Sequence, residues 1–160
     1  MTATLDIAVT GLDQALRTAD ALASIAAVEI ADAIGALGVR QTQRRIASEK
    51  TSPAGAAWKK NISGTSILFR SGALAASISH RASAAGASWG SPLIYAAIHN
   101  YGGVIKPKTK KALRFPLRGR QDQHIRKSVT MPKREYLGIS AENAAEMERM
   151  VVDLVKVRLP

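Results

Sequence analysis

Eleven of the chain's 23 lysines and arginines lie between Val104 and Arg134, where Asp122 is the lone acid, so this stretch alone carries +10 of a total of +11. The flanks nearly cancel, with 9 cations against 6 acids before Val104 and 3 against 5 after Arg134. A local excess of this kind concentrates anionic partners, whether phosphate or an acidic protein face. The cations singled out for partner binding are Lys106, Lys108, Lys110, Lys111, Arg114, Arg118, Arg120, Arg126 and Lys127. Tyr101 and Tyr136, near the ends of the stretch, are read as exposed and as interface candidates.

Other chemistry is sparse. The absence of cysteine removes disulfides, thiolate nucleophiles and cysteine-ligated zinc. The histidines stand at 80, 99 and 124, separations of 19 and 25 that match no metal-site spacing. His99, between Tyr95 and Tyr101, reads as a hydrogen-bonded core or interface residue rather than a catalyst. The acids from Asp6 to Asp122 are scattered, without the spacing of paired general acid and base. Neither glycine-rich phosphate cradle nor Gly-x-Ser-x-Gly elbow occurs. The expectation is a non-enzyme with no cofactor and no metal. No apolar run approaches 18 residues, so no membrane span is expected. The start, MTATLDIAVTGLD, lacks a basic region before an apolar core, so no secretory leader is expected and the default compartment is the cytosol.

The elements that must carry these residues follow from periodicity. Leu5–Val9 suggests a short strand, and Thr10 with Asp13 a helix cap. Leu12, Leu16, Ala19, Ala23, Ala26, Ile30, Ala33 and Leu37 recur at steps of four and three, one face of a long helix. Gly35 and Gly38 weaken it by about 1 kcal/mol each relative to alanine, and Arg40, Arg44 and Arg45 suit its carboxyl end. Lys50–Gly64 reads as a loop anchored by Trp58. Leu74 and Ile78 mark a helical turn; Ile78–Ser83 alternates as a strand, Gly86 turns, and Ala87–Gly90 returns. Leu93–Asn100 reads as a brief helix stopped by Gly102-Gly103. Leu113–Leu117 and Ser128–Met131 are strand-like, with Pro116 demanding an edge or bulge. Ser140 caps a closing helix whose buried stripe is Ala144, Met147, Val151 and Leu154. The whole predicts one α+β domain over residues 1–160: a long amino-terminal helix, a short antiparallel sheet, a carboxyl-terminal helix, and a basic loop or hairpin at about 104–134.

A basic DNA-binding accessory protein is the alternative this charge allows. Phe115 is the lone aromatic among the eleven cations, so the stacking platforms of single-strand binders are missing and only salt-sensitive backbone contact remains.

Three segments in order carry a resemblance. They are Arg70-Ser71-Gly72-x-Leu74-x-x-Ser77-Ile78; Tyr95-Ala96-x-Ile98-His99-x-Tyr101-Gly102-Gly103; and Met131-Pro132-x-Arg134-x-Tyr136-Leu137-Gly138-Ile139-Ser140. Together with Pro53-x-Gly55-x-x-Trp58, the chain from Leu5 to Val157 resembles the phage virion morphogenesis family, the tail-completion proteins of tailed bacteriophages. The resemblance implies a structural component at the head-proximal end of the tail that mediates head–tail joining at the neck. It further implies a homo-oligomeric ring, six-fold, with the tail terminator and the head connector as partners. The location implied is the virion, with the host cytoplasm during assembly. On this reading the basic segment reaches non-specifically toward DNA in the channel or toward an acidic connector face.

Overall fold

A computed structural model of the chain describes residues 12–23, 27–61, 64–116 and 123–158. The strand expected at Leu5–Val9 and the cap at Thr10 lie outside the described residues. The first amphipathic stretch forms α1, Leu12–Ala23, and α2, Ala27–Arg44, the latter closed by a π-helical turn over Arg45–Glu49. Lys50 ends that turn in the left-handed region, with φ 57° and its N–H donated to Arg45 O. Its ammonium donates to Ile46 O and to Ile67 O, tying the following loop to the helix end.

The buried face of α2 differs from the expected stripe. Leu37 of that stripe is buried and Ile30 and Ala33 are half-buried, but Ala31, Gly35, Gly38 and Thr42, which lie off the stripe, are buried too. The reason is the glycines. Strands β1, Ser79–Ser83, and β2, Gly86–Gly90, form an antiparallel hairpin with His80 opposite Trp89. These two rings lie against the helix where side chains are absent. A Cβ on Gly35 would stand 2.5 Å from His80 Cδ2, and one on Gly38 2.7 Å from Trp89 Cδ2. Hydrogen bonds fix the pair: His80 Nε2 with Asp32 Oδ1 at 2.9 Å, and Trp89 Nε1–H to Thr42 Oγ1 at 3.1 Å. The alternation read for β1 holds, with His80 and Ala82 half-buried between exposed neighbours.

A neighbouring face of α2, carrying Leu37 and Gln41, meets α5, Ala141–Arg158. Gln41 Nε2–H donates to Asn143 O at 3.2 Å and to Glu146 Oε2 at 2.8 Å. That bond, ahead of the Arg44 charge, holds the Glu146 carboxyl below its ordinary range. Ser140 caps α5, its Oγ accepting the Asn143 N–H at 3.1 Å.

The one-turn α3, Ala73–Ala76, enters from Gly72 at φ 76°, and α4 spans Ala96–Tyr101. Ile46, Trp58, Leu74, Ala75, Ile78, Ala96 and Tyr136 form the core beneath them. Trp58 is the expected loop anchor, its indole N–H donated to Glu135 O at 3.2 Å. The remaining strands are β3, Gly103–Ile105; β4, Leu113–Pro116; β5, Gln123–Arg126; and β6, Val129–Met131. Among the described residues, antiparallel pairing forms three two-stranded ladders, β1 with β2, β3 with β6, and β4 with β5, plus an isolated bridge between Thr51 and Ala57. The architecture is α+β in one domain.

Candidate functional site

The two later ladders are nested, and that nesting defines an arm. Gly103 pairs with Met131 and Ile105 with Val129; further out, Leu113 pairs with Arg126 and Pro116 with Gln123. The chain therefore leaves α4, runs outward along β3 and β4, and returns along β5 and β6. Pro116, lacking an N–H, sits in a two-stranded ribbon where each strand is an edge. Close packing fixes the root. Gly102 has φ 72°, and a Cβ there would stand 2.8 Å from Lys133 N and 3.0 Å from Met131 O, so both conformation and space require glycine.

Along this arm, Lys106, Lys108, Lys110 and Lys111 fall in the run between β3 and β4, Arg114 in β4, Arg126 in β5 and Lys127 just beyond it. All seven are exposed, and none makes an ion pair with a described acid. Arg118 and Arg120 lie outside the described residues. Val104, Ile105 and Ile125 are exposed on the same ribbon. A lone two-stranded ribbon is marginally stable in water; this one joins exposed cations to uncovered apolar side chains, a surface suited to an anionic partner that also covers hydrocarbon. The last two cations of the basic stretch do not share it. Lys133 Nζ is 2.9 Å from Glu135 Oε2, and Arg134 is buried.

Tyr101 is 70% exposed on α4, beside the root of the arm. Tyr136 is the opposite, and the expectation of an exposed tyrosine there is corrected: it is 1% exposed. Read along the chain, a tyrosine between Glu135 and Gly138 looks like a loop residue, but this segment crosses the core and every neighbour holds it. The phenol donates to Ala96 O at 3.0 Å, and Asn100 Oδ1 accepts the N–H groups of Tyr136 and Leu137, each at 3.0 Å. Burial, and then the nearby Tyr101 and Tyr95, push the phenol up to about 12.

The residue that completes this clasp is Arg45. It is 2% exposed, with Nη1 donating to Tyr136 O and Gly138 O at 3.0 Å each and Nη2 to Asn143 Oδ1 at 2.5 Å. Burial lowers its pKa against the opposing pull of Glu49. Reading Arg45 as a helix-end cation missed this role. Its signal was its place on the buried stripe, three residues after Thr42 and seven after Gly38.

His99 is half-buried on α4. Its backbone carbonyl accepts the Arg134 N–H at 3.0 Å, but the buried ring Nδ1 has no partner among the described residues. Tyr95 stands edge-on to the ring at 5.9 Å. Burial, then the Arg134 charge, lowers the imidazole pKa. Among the described residues no cluster of His, Asp or Glu is arranged to hold a metal ion, and no helix is long and apolar enough to cross a membrane.

No curated protein and no solved structure matches the chain. The model of one family, described as the phage virion morphogenesis family, matches residues 7–156. That span takes in the glycine face of α2, the Arg45–Tyr136 clasp, the root of the arm and the arm itself. With nearly its whole length and all of these features inside one match, the chain belongs to the phage virion morphogenesis family.

Proposed function

We propose that this member of a virion morphogenesis family is a structural part of the particle that completes the head-proximal end of the tail and joins it to the head. It acts as a ring, six-fold, in which one patch of each subunit covers a different patch of its neighbour. The tail terminator and the head connector are its partners, and it works by surface complementarity without catalysis or cofactor. The observation that carries this reading is the arm: a ribbon that projects seven exposed cations, none paired with a described acid, from a body whose own charges largely cancel. The arm reaches toward an acidic connector face or toward DNA in the channel, where its cations act at short range. Exposed Leu16, Val28, Val152 and Val157 on α1, α2 and α5 supply apolar area for contact between subunits.

The test is complementation of a phage lacking this gene by Lys108→Glu/Lys110→Glu/Lys111→Glu. Filled heads and free tails are expected to accumulate unjoined, while the purified variant unfolds at the wild-type denaturant midpoint. Infectious particles at normal yield would remove the arm from joining. A basic DNA-binding accessory protein is favoured by the same cations. It predicts affinity for free duplex that falls with salt at a slope near the number of phosphates contacted, whereas a neck component binds tail proteins at moderate salt and leaves free duplex nearly untouched.

A further inference from the structure

Below the arm lies a cleft of about 330 Å³, bounded by the loop before α3, by α4 and by the segment leading to the clasp. Its wall includes Asn61, Arg70, Tyr95, His99 and Arg134, and among the described residues no aspartate or glutamate lines it. Three features bear on what it holds. Arg134 is 4% exposed, yet no described carboxylate pairs with it. Its Nε–H donates to Lys59 O and its Nη2–H to Asn61 Oδ1, both at 3.0 Å, which leaves further guanidinium donors without a partner. His99 Nδ1 is buried with no partner among the described residues, and in the tautomer protonated there it is an unsatisfied donor. Arg70 stands exposed on the same wall.

A buried cation without a counter-charge and a buried donor without an acceptor are each unfavourable alone. One ligand group answers both, an anion with two acceptor oxygens. We propose that this cleft binds the carboxylate of an acidic side chain carried on a peptide segment of a partner protein. The carboxylate takes donors from Arg134 and His99, and Arg70 closes over it from the rim. A carboxylate on a flexible stem enters a cleft of this size, while duplex phosphates, spaced along a convex rod, meet exposed cations such as those of the arm rather than a guanidinium sunk in the wall. The site shares Met131 at the root of the arm but none of the arm's exposed cations, and does not depend on where in the virion the protein sits.

The experiment follows backbone amide signals of isotope-labelled protein during four titrations: a blocked peptide Gly-Glu-Glu-Gly, its Gly-Gln-Gln-Gly counterpart, inorganic phosphate and a short DNA duplex. The glutamate peptide is expected to shift Asn61, Arg70, His99 and Arg134, and the glutamine peptide to leave them in place. Arg70→Gln, at an exposed position that leaves the fold intact, is expected to weaken the response about tenfold, the loss of one charge-assisted hydrogen bond. Lys108→Glu/Lys110→Glu/Lys111→Glu is expected to leave it unchanged. The proposal fails if the glutamate peptide moves only arm residues or nothing, if the glutamine peptide acts equally, or if the cleft responds to phosphate or duplex but not to the glutamate peptide.

Discussion

Replacing Arg45 by methionine keeps an unbranched apolar stem at a position 2% exposed and removes the guanidinium. Three acceptors then lose donors: Tyr136 O and Gly138 O, each 3.0 Å from Nη1, and Asn143 Oδ1, 2.5 Å from Nη2. Leaving a buried acceptor unpaired costs about 1–3 kcal/mol. Asn143 Oδ1 keeps the Ser140 hydroxyl at 2.8 Å and so suffers least. Relief of the guanidinium's burial, the cause of its lowered pKa, offsets part of the loss. The net expectation is about 3 kcal/mol, chiefly from the two carbonyls left unpaired. A cation that merely complemented the helix dipole would be worth about 0.3–1 kcal/mol, and lysine would replace it freely. The clasp predicts that Arg45→Lys also fails, by about 2 kcal/mol, because an ammonium cannot fork across two carbonyls and an amide. Urea unfolding followed by tryptophan fluorescence measures both, since Trp58 lies in the core and Trp89 packs against it. The midpoint should fall at unchanged slope. Arg45→Met within about 1 kcal/mol of wild type, inside the dipole range, or Arg45→Lys indistinguishable from it, would refute the clasp.

Gly38→Ala gains about 1 kcal/mol of helix propensity. It also places a Cβ 2.7 Å from an indole held by Thr42, so a net loss of stability is expected by denaturant unfolding, with partial recovery in the Gly38→Ala/Trp89→Leu double variant. Tyr136 ionises at about 12 when folded and near 10 when unfolded, so its contribution is whole below about pH 10 and is lost as pH rises through that interval. Tyr136→Phe should therefore show a shallower alkaline fall in melting temperature, on top of about 1 kcal/mol lost with the bond to Ala96 O. Ser140→Ala should cost about 1 kcal/mol through the lost cap of α5, read as a lower urea midpoint.

Local signals carried much of this fold into the sequence. The Ser140 cap, the alternation of β1, the glycines that end α4 and the Trp58 anchor each depend on neighbours a few residues away or on one side chain's apolar area. The misreadings share a cause. Gly35 and Gly38 looked like weak points of a helix because the rings that need their missing side chains, His80 and Trp89, lie more than forty residues downstream. Arg45 and Tyr136 are 91 residues apart, and neither reads as buried until the other is beside it. The arm's charge was plain from composition, and Tyr101 stands exposed beside its root. The cleft was not legible, because Asn61, Arg70, His99 and Arg134 come from separate segments and only folding brings them onto one wall.

The central claim is that this chain is a fixed part of the particle at the junction of capsid and tail. Electron microscopy of purified virions labelled with an antibody against it, alongside particles from a phage lacking its gene, tests that most directly. Label confined to the junction, with unjoined heads and tails in the deletion, is the expected result. Unlabelled virions, together with intact joined particles from the deletion, would contradict it.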